Sequence, residues 1–305
     1  MERSKLFQER LTRFTDVLEG RIPDRVPVFP IIEQWAMQTF GISIVECYVD
    51  DPMKSIEAFG KVYDQVYVDA TYGDGNLKPI NVISAFGEGL YTISDKGLQI
   101  KGAEDCVMLE DEYPQFIADP VNFLNNVIIP RKYPHIAEMS IEEAADTWAN
   151  ALGLFGAWAQ HTAITNNGIE EILQVPVIAK GGGLVSSDFI FDYVRGFAGT
   201  MVDVRRRPEE FAAACEAIDP VTIGFLKASP DKSGITFIPQ HMATYIRPKV
   251  FEKCYLPFMK SATKTLHEDG RTPCYYSEND WTPYLDYLEE LSDGPIMCIF
   301  ERGDL

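Results

Sequence analysis

His241 and Glu278 are the side chains in this sequence best placed to do chemistry. Each follows a run with the composition of a β-strand. Ile235-Thr-Phe-Ile-Pro239 leads into Gln240-His241, and Thr272-Pro-Cys-Tyr-Tyr276 leads into Ser277-Glu278-Asn279-Asp280. An imidazole can ligate a metal or carry a proton, and a carboxylate can complete a metal site or act as general acid or base. Gln240, Tyr276, Ser277 and Asn279 add hydrogen-bonding groups suited to holding a substrate. The plainer readings are a loop histidine held by hydrogen bonds and a solvated carboxylate. Asp280, followed by Trp281, Thr282 and Pro283, makes the better helix cap, which leaves Glu278 free for another task.

Three further candidates follow earlier strand-like runs. Glu33 and Gln34 come after Val26-Pro-Val-Phe-Pro-Ile-Ile32, and Asp74 comes after Gln65-Val-Tyr-Val-Asp-Ala70. Lys180-Gly-Gly-Gly183 has the glycines of a phosphate cradle but the spacing of neither common phosphate motif, and reads as a loop. His135, His161 and His267 have no polar cluster beside them, and Cys274 and Cys298 sit inside strand-like runs; all five read as structural.

The elements that must position these groups alternate. Helical spacing is expected over 3–19, 52–63, 141–165, 189–197, 208–226 and 248–267, with Ser140 and Glu143 forming a capping box. A strand, helix, strand unit with a right-handed crossover brings the ends of both strands to one face of a parallel sheet, where α/β proteins place their active sites. Glycine-punctuated alternation after Ile80 reads as β-hairpins inserted at about 80–135. Six inner strands are expected against the eight of a closed TIM (β/α)8 barrel. The expectation is therefore a single α/β barrel domain over 1–305, incomplete at its C-terminus.

Composition excludes several classes. A net charge of −19, from 46 acidic against 27 basic residues, repels nucleic acid and anionic membrane surfaces. No apolar run approaches the roughly 20 residues of a membrane span, and the charged start MERSKLFQERLTRF is no signal peptide, so a cytoplasmic protein is expected. The six cysteines, at 47, 106, 215, 254, 274 and 298, form no CxxC pair and read as free thiols.

The stretch Phe14-Thr-Asp-Val-Leu-Glu-Gly-Arg-Ile-Pro-Asp-Arg-Val-Pro-Val-Phe-Pro30 resembles the opening of the uroporphyrinogen decarboxylase superfamily. Tyr193-Val-Arg-Gly-Phe197, Arg207-Pro-Glu-Glu-Phe211 and the run from Arg247 to Lys260 resemble its later landmarks in the same order. The resemblance implies a TIM barrel with one of two activities: uroporphyrinogen decarboxylation, or methyl transfer between a corrinoid (cobalamin-type) protein and a small substrate or thiol. The decarboxylases carry Arg-Gln-Ala-Gly-Arg after the first strand, clamping a substrate with eight carboxylates. Here Ile31-Ile-Glu-Gln-Trp-Ala-Met-Gln38 has no arginine, so the methyltransferase branch is favoured. Decarboxylation is the alternative, with Asp74 near the place of the aspartate that holds the pyrrole nitrogens. The methyltransferases hold zinc through His-x-Cys, but those positions fall on Ser277 and Asn279, so a zinc ion would rest on His241 and Glu278. The implied partners are a small methyl donor or acceptor, a separate corrinoid protein and a second copy in a homodimer. A further alternative is an inactive barrel fragment or binding module.

Overall fold

The computed structural model describes residues 4–32, 34–73, 79–87, 91–94, 97–100, 108–228, 234–291 and 294–302. The chain divides into two compact units, Met1–Lys101 with His135–Lys180, and Gly102–Pro134 with Gly181–Leu305. Among the described residues, no helix is long and apolar enough to cross a membrane.

The first unit is organised around a buried carboxylate. Helix Lys5–Leu18 starts where Ser4 Oγ accepts the Phe7 amide at 3.1 Å. It buries Arg13, whose Nε and Nη2 donate to Asp24 at 2.5 and 2.7 Å and whose Nη1 donates to Asp69 at 2.5 Å. Asp69 is fully buried and also accepts Arg25 Nη2, the Tyr67 hydroxyl and the Val28 amide, at 2.9, 2.9 and 2.8 Å. The Asp24 hydrogen bonds, with the added pull of Asp69, outweigh burial and hold the Arg13 guanidinium charged. The run Pro23-Asp-Arg-Val-Pro27 thus pins the first helix to the segment that carries Asp69.

Neither Val26–Ile32 nor 65–70 is a regular strand, which corrects the expectation. The Val28 carbonyl accepts the Asp69 and Ala70 amides at 2.8 and 3.3 Å, and there the pairing stops. Pro27 and Pro30 have no N–H to extend a ladder. The next contact is a single parallel bridge between Thr71 and Val177, with Pro176 again lacking a donor.

The inserted hairpin is present: β1 (Tyr91–Ser94) and β2 (Gly97–Ile100) pair antiparallel, Tyr91 opposite Ile100. The rest of the described insertion is mainly helical rather than strand. Ile80–Ala85 belongs to the first unit, and Tyr113–Ala118, Pro120–Phe123 and Ile129–Lys132 to the second. At Pro120 the cause is local, since Asp119 caps the Asn122 amide and proline suits the first helical turn.

Helix Ile141–Glu171 opens with the expected capping box and runs six residues beyond Thr165. It packs on helix Pro52–Tyr63, and Gly168 permits the contact: a Cβ there would lie 2.2 Å from Ile56 Cδ1. His161 Nε2 lies 2.5 Å from the Cys47 carbonyl, a structural role as expected. The core of this unit joins Met37, Ile44, Phe59, Val62, Ile169 and Val177.

The second unit holds a sheet of order β3 (Ala179–Gly182), β4 (Ile235–Gln240), β5 (Thr272–Asp280), β6 (Met297–Arg302). The chain passes from one unit to the other within β3. Strands β4 and β5 pair in parallel from Ile235 opposite Thr272 to Gln240 opposite Ser277, and β5 and β6 are also parallel. The expected loop at 180–183 is therefore partly strand. The Gly183 amide donates to the Phe237 carbonyl, and a Cβ on Gly183 would lie 2.6 Å from Leu226. Helix Pro208–Ala228 forms as expected, whereas the helix expected over 248–267 breaks at Tyr255 into Pro248–Cys254 and Leu256–Glu268. Pro257 sits in the first turn of the latter helix, where its missing N–H costs least.

The chain is thus a helix-rich α/β protein with a four-stranded sheet, and no closed barrel is present among the described residues. This corrects the expectation of six inner strands, and the prolines at 27, 30 and 176 account for the shortfall.

Removing the Asp69 carboxylate leaves two guanidinium groups facing a buried gap. Asp69→Ala is expected to lower unfolding free energy by about 3–5 kcal/mol in urea titration, the cost of breaking a buried pair from one side. A loss below about 1 kcal/mol, the range of a surface pair, would refute this role.

Candidate active site

β4 and β5 are neighbours in register, so the residues following Gln240 and Ser277 emerge side by side at the carboxyl end of the sheet. These are His241 and Glu278, with His241 Nε2 3.7 Å from Glu278 Oε1. Between Ser277 and Asp280 the pairing with β6 slips, since Ser277 lies opposite Phe300 but Asp280 opposite Arg302. The extra residue makes a bulge, a feature that re-aims side chains. Within it Asn279 adopts a left-handed φ of 62°, and its amide donates to Glu301 Oε2 at 2.7 Å.

The turn after β4 is held by a carboxylate from another element. Asp188 Oδ1 accepts the amides of His241 and Met242 at 3.2 and 2.9 Å, and its Oδ2 accepts the Tyr255 hydroxyl. Asp188 is fully buried, and burial pushes its carboxyl up to about 7 against the opposing pull of His241. It belongs to the short helix Ser186–Phe189, which runs into a π-helical turn, Ile190–Arg195, ended by Gly196 at φ 75°. Such wider turns occur often at functional sites. This one carries Asp192, whose Oδ2 lies 2.6 Å from His241 Nδ1.

Asp192, His241 and Glu278 therefore form a line. Burial alone would lower the imidazole pKa, but the Asp192 hydrogen bond and charge, with the charges of Asp188 and Glu278, raise it to about 9. His241 is thus an imidazolium at neutral pH, donating Nδ1–H to Asp192 and directing Nε2–H toward Glu278. Burial raises the Glu278 carboxyl above its ordinary range; His241 opposes the shift, while Glu301 and Asp192 add to it. Lys132 contributes a second cation, pushed down to about 8 by burial despite the pull of Asp192, with its ammonium 5.3 Å from the Tyr193 ring centre.

The expected substrate-binding residues are placed unequally. Gln240 and Ser277 are buried and bound to each other, Ser277 Oγ donating to Gln240 Oε1 at 2.9 Å, so they hold the strand ends together. The Tyr276 ring stacks against Phe237 with centres 5.8 Å apart. Asp280 caps the Thr282 amide at 2.9 Å, as its neighbours in the sequence implied. Gln34 opens helix Gln34–Phe40 in the first unit, and Glu33 and Asp74 lie outside the described residues. Reasoning from sequence missed Asp188, Asp192, Tyr255 and Lys132. The signal available was two aspartates four residues apart, on one helical face, shortly after a strand-like run.

The described residues do not fit a zinc ion. A catalytic zinc takes three protein ligands, and no group of three or more His, Cys, Asp or Glu among the described residues is arranged to hold a metal. His241 engages Asp192 through Nδ1, so the pair could present one imidazole nitrogen and the Glu278 carboxylate, fewer than the three ligands such a site takes. Burial pushes the Cys274 and Cys298 thiols up to about 12 and about 11, so neither is a thiolate at neutral pH.

No family model and no curated protein matches this sequence. Among solved structures the chain is similar to a methyltransferase from Methanosarcina mazei, at 13% identity and a TM-score of 0.56. The match covers 92% of this chain and 73% of that one. At this identity the likeness is one of fold.

A histidine pKa raised in the folded state contributes stability that is complete below its unfolded value of 6.5 and is lost as pH rises toward about 9. NMR titration is expected to place His241 near 9, and Asp192→Asn to move it down by at least about one unit. The stability lost in Asp192→Asn is expected to be largest near pH 6 and to fade by pH 10; a loss equal at both would show that Asp192 does not hold His241 as a cation.

Proposed function

We propose that this chain is a methyltransferase-like enzyme that moves a methyl group between a small substrate or thiol and a corrinoid protein, with its reacting centre at His241 and Glu278. The observation that carries the reading is the line Asp192, His241, Glu278 at the carboxyl ends of adjacent parallel strands. Two observations support it: the fold shared with a methyltransferase, and the resemblance of Phe14–Pro30 and the later landmarks to the uroporphyrinogen decarboxylase superfamily, within which the absence of arginine from Ile31 to Gln38 favours the corrinoid-dependent branch. The (β/α)8-type architecture of that branch is part of the proposal, supported by the sequential order β3-β4-β5-β6.

The chemistry of the site suits activation of a protic acceptor. Glu278, partly buried and less acidic than an ordinary carboxylate, accepts the proton of a thiol or hydroxyl. The His241 imidazolium, kept in orientation by Asp192, stabilises the anion that remains. That anion attacks the methyl carbon; a bond from the acceptor atom to carbon forms while the bond from carbon to the donor breaks, its electron pair staying with the donor. No step here requires a zinc ion.

Incubation with methylcobalamin and small thiols, followed by mass spectrometry of the methylated thiol, tests the reading. Glu278→Gln and His241→Ala are each expected to slow transfer by about 10²-fold or more, the usual contribution of a positioned acid or base. Transfer that survives both substitutions would reject this centre. An inactive native chain that instead turned over uroporphyrinogen would establish the decarboxylase.

A further inference from the structure

The sheet of the second unit has one face packed on a helix and one that solvent reaches. On the packed side Gln240 Nε2 donates to Met259 Sδ and the Tyr275 hydroxyl to the Met259 carbonyl, so helix Leu256–Glu268 lies against both residues. Strand residues alternate between faces, and those on the other side fall into rows across the strands. Pro239 lies opposite Tyr276 and Tyr276 opposite Ile299, all three partly exposed. Two residues further along, the next row holds His241 and Glu278, also partly exposed. Successive rows are about 6.7 Å apart, and three strands make each row about 10 Å wide.

We propose that the row of Pro239, Tyr276 and Ile299 is the bed for an aromatic ring, and that the substrate of this centre is an aryl thiol or a phenol. The inference rests on reading His241 and Glu278 as a methyl-transfer centre and gives that centre a substrate class. Its first support is the chemistry of the row, which has no ionised group to attract a charged skeleton. The Tyr276 ring already stacks on Phe237 with planes 29° apart, and a substrate ring laid beside it extends a stack of the kind aromatic rings favour. Spacing is the second. A ring resting on this row sets a hydroxyl or thiol on its rim one row further along, beside Glu278. Acidity is the third. A phenol ionises near 10, as tyrosine does, and a thiol near 8.5, as cysteine does, so both yield a proton more readily than an aliphatic alcohol. That proton passes to Glu278, the methyl carbon bonds to the sulfur or oxygen, and the donor keeps the electron pair of the bond that breaks.

Binding and turnover are read separately. Calorimetry with thioanisole, the methylated product of thiophenol, is expected to show binding about fivefold or more tighter than with cyclohexyl methyl sulfide, which has a similar size but no flat ring. Tyr276→Leu and Ile299→Thr are each expected to weaken thioanisole by about the same factor, the size of an aromatic contact's contribution. Ile299 is partly exposed on the strand that ends the order β3-β4-β5-β6, and threonine keeps its β-branch, so this variant reports on the bed even where Tyr276→Leu loses its native circular dichroism. With methylcobalamin as donor, both substitutions are expected to slow methylation of thiophenol about fivefold more than that of 2-mercaptoethanol, a ratio in which intrinsic thiol reactivity cancels. Ring-selective binding with no methyl transfer upholds the bed and rejects the methyl-transfer reading. Methylation of 2-mercaptoethanol without ring selectivity in binding or rate overturns the bed while methyl transfer stands. Thioanisole that binds no tighter than its cyclohexyl counterpart, or that is indifferent to both substitutions, overturns the proposal whatever the turnover.

Discussion

The candidate centre depends on one buried carboxylate. Asp188 accepts two consecutive amides just past the end of β4 and a tyrosine hydroxyl from the break between two helices. Those three bonds fix where His241 leaves the sheet, and the π-helical turn that follows Asp188 brings Asp192 onto the same imidazole. The two donor amides would otherwise be orphans at a buried strand end, a cost of about 1–3 kcal/mol each. Satisfying them with a carboxylate from the adjoining helix ties the scaffold and the reacting group into one arrangement.

The two units solve the problem of a buried acid differently. Asp69 faces two guanidinium groups, so charge meets charge and the ion pairs fasten the first helix. Asp188 faces only neutral donors directly, with His241 acting on it through space, and burial brings its pKa close to neutrality. An acid in the first setting is a structural anchor. In the second it can share protons with its surroundings, as groups near active sites commonly do.

The strands that carry His241 and Glu278 were legible because apolar runs ending in polar residues are local patterns, and the capping box at Ser140 was legible for the same reason. The prolines of Val26–Ile32 were visible too, but their effect is to remove inter-strand bonds, which depends on which donors the neighbouring segment needs. Asp188 and Asp192 escaped because their partners lie some fifty residues away and nothing nearby in sequence marks the contact. Gln240 and Ser277 lie at the expected strand ends, where they hydrogen-bond to each other and Gln240 also donates to Met259 Sδ.

The bulge in β5 carries a consequence for how such a protein can diverge. Side chains on an unbroken strand alternate between faces, so Glu278 follows Ser277 by plain pleating, and it is from Asp280 onward that direction depends on the extra residue. Deleting the Asn279 codon would restore plain pairing with β6, leaving the acid next to Ser277 and removing the amide that Glu301 accepts. A lineage could thus gain or lose this residue while keeping its acid in place, and a gapless alignment of two such relatives would set everything beyond the bulge one column out.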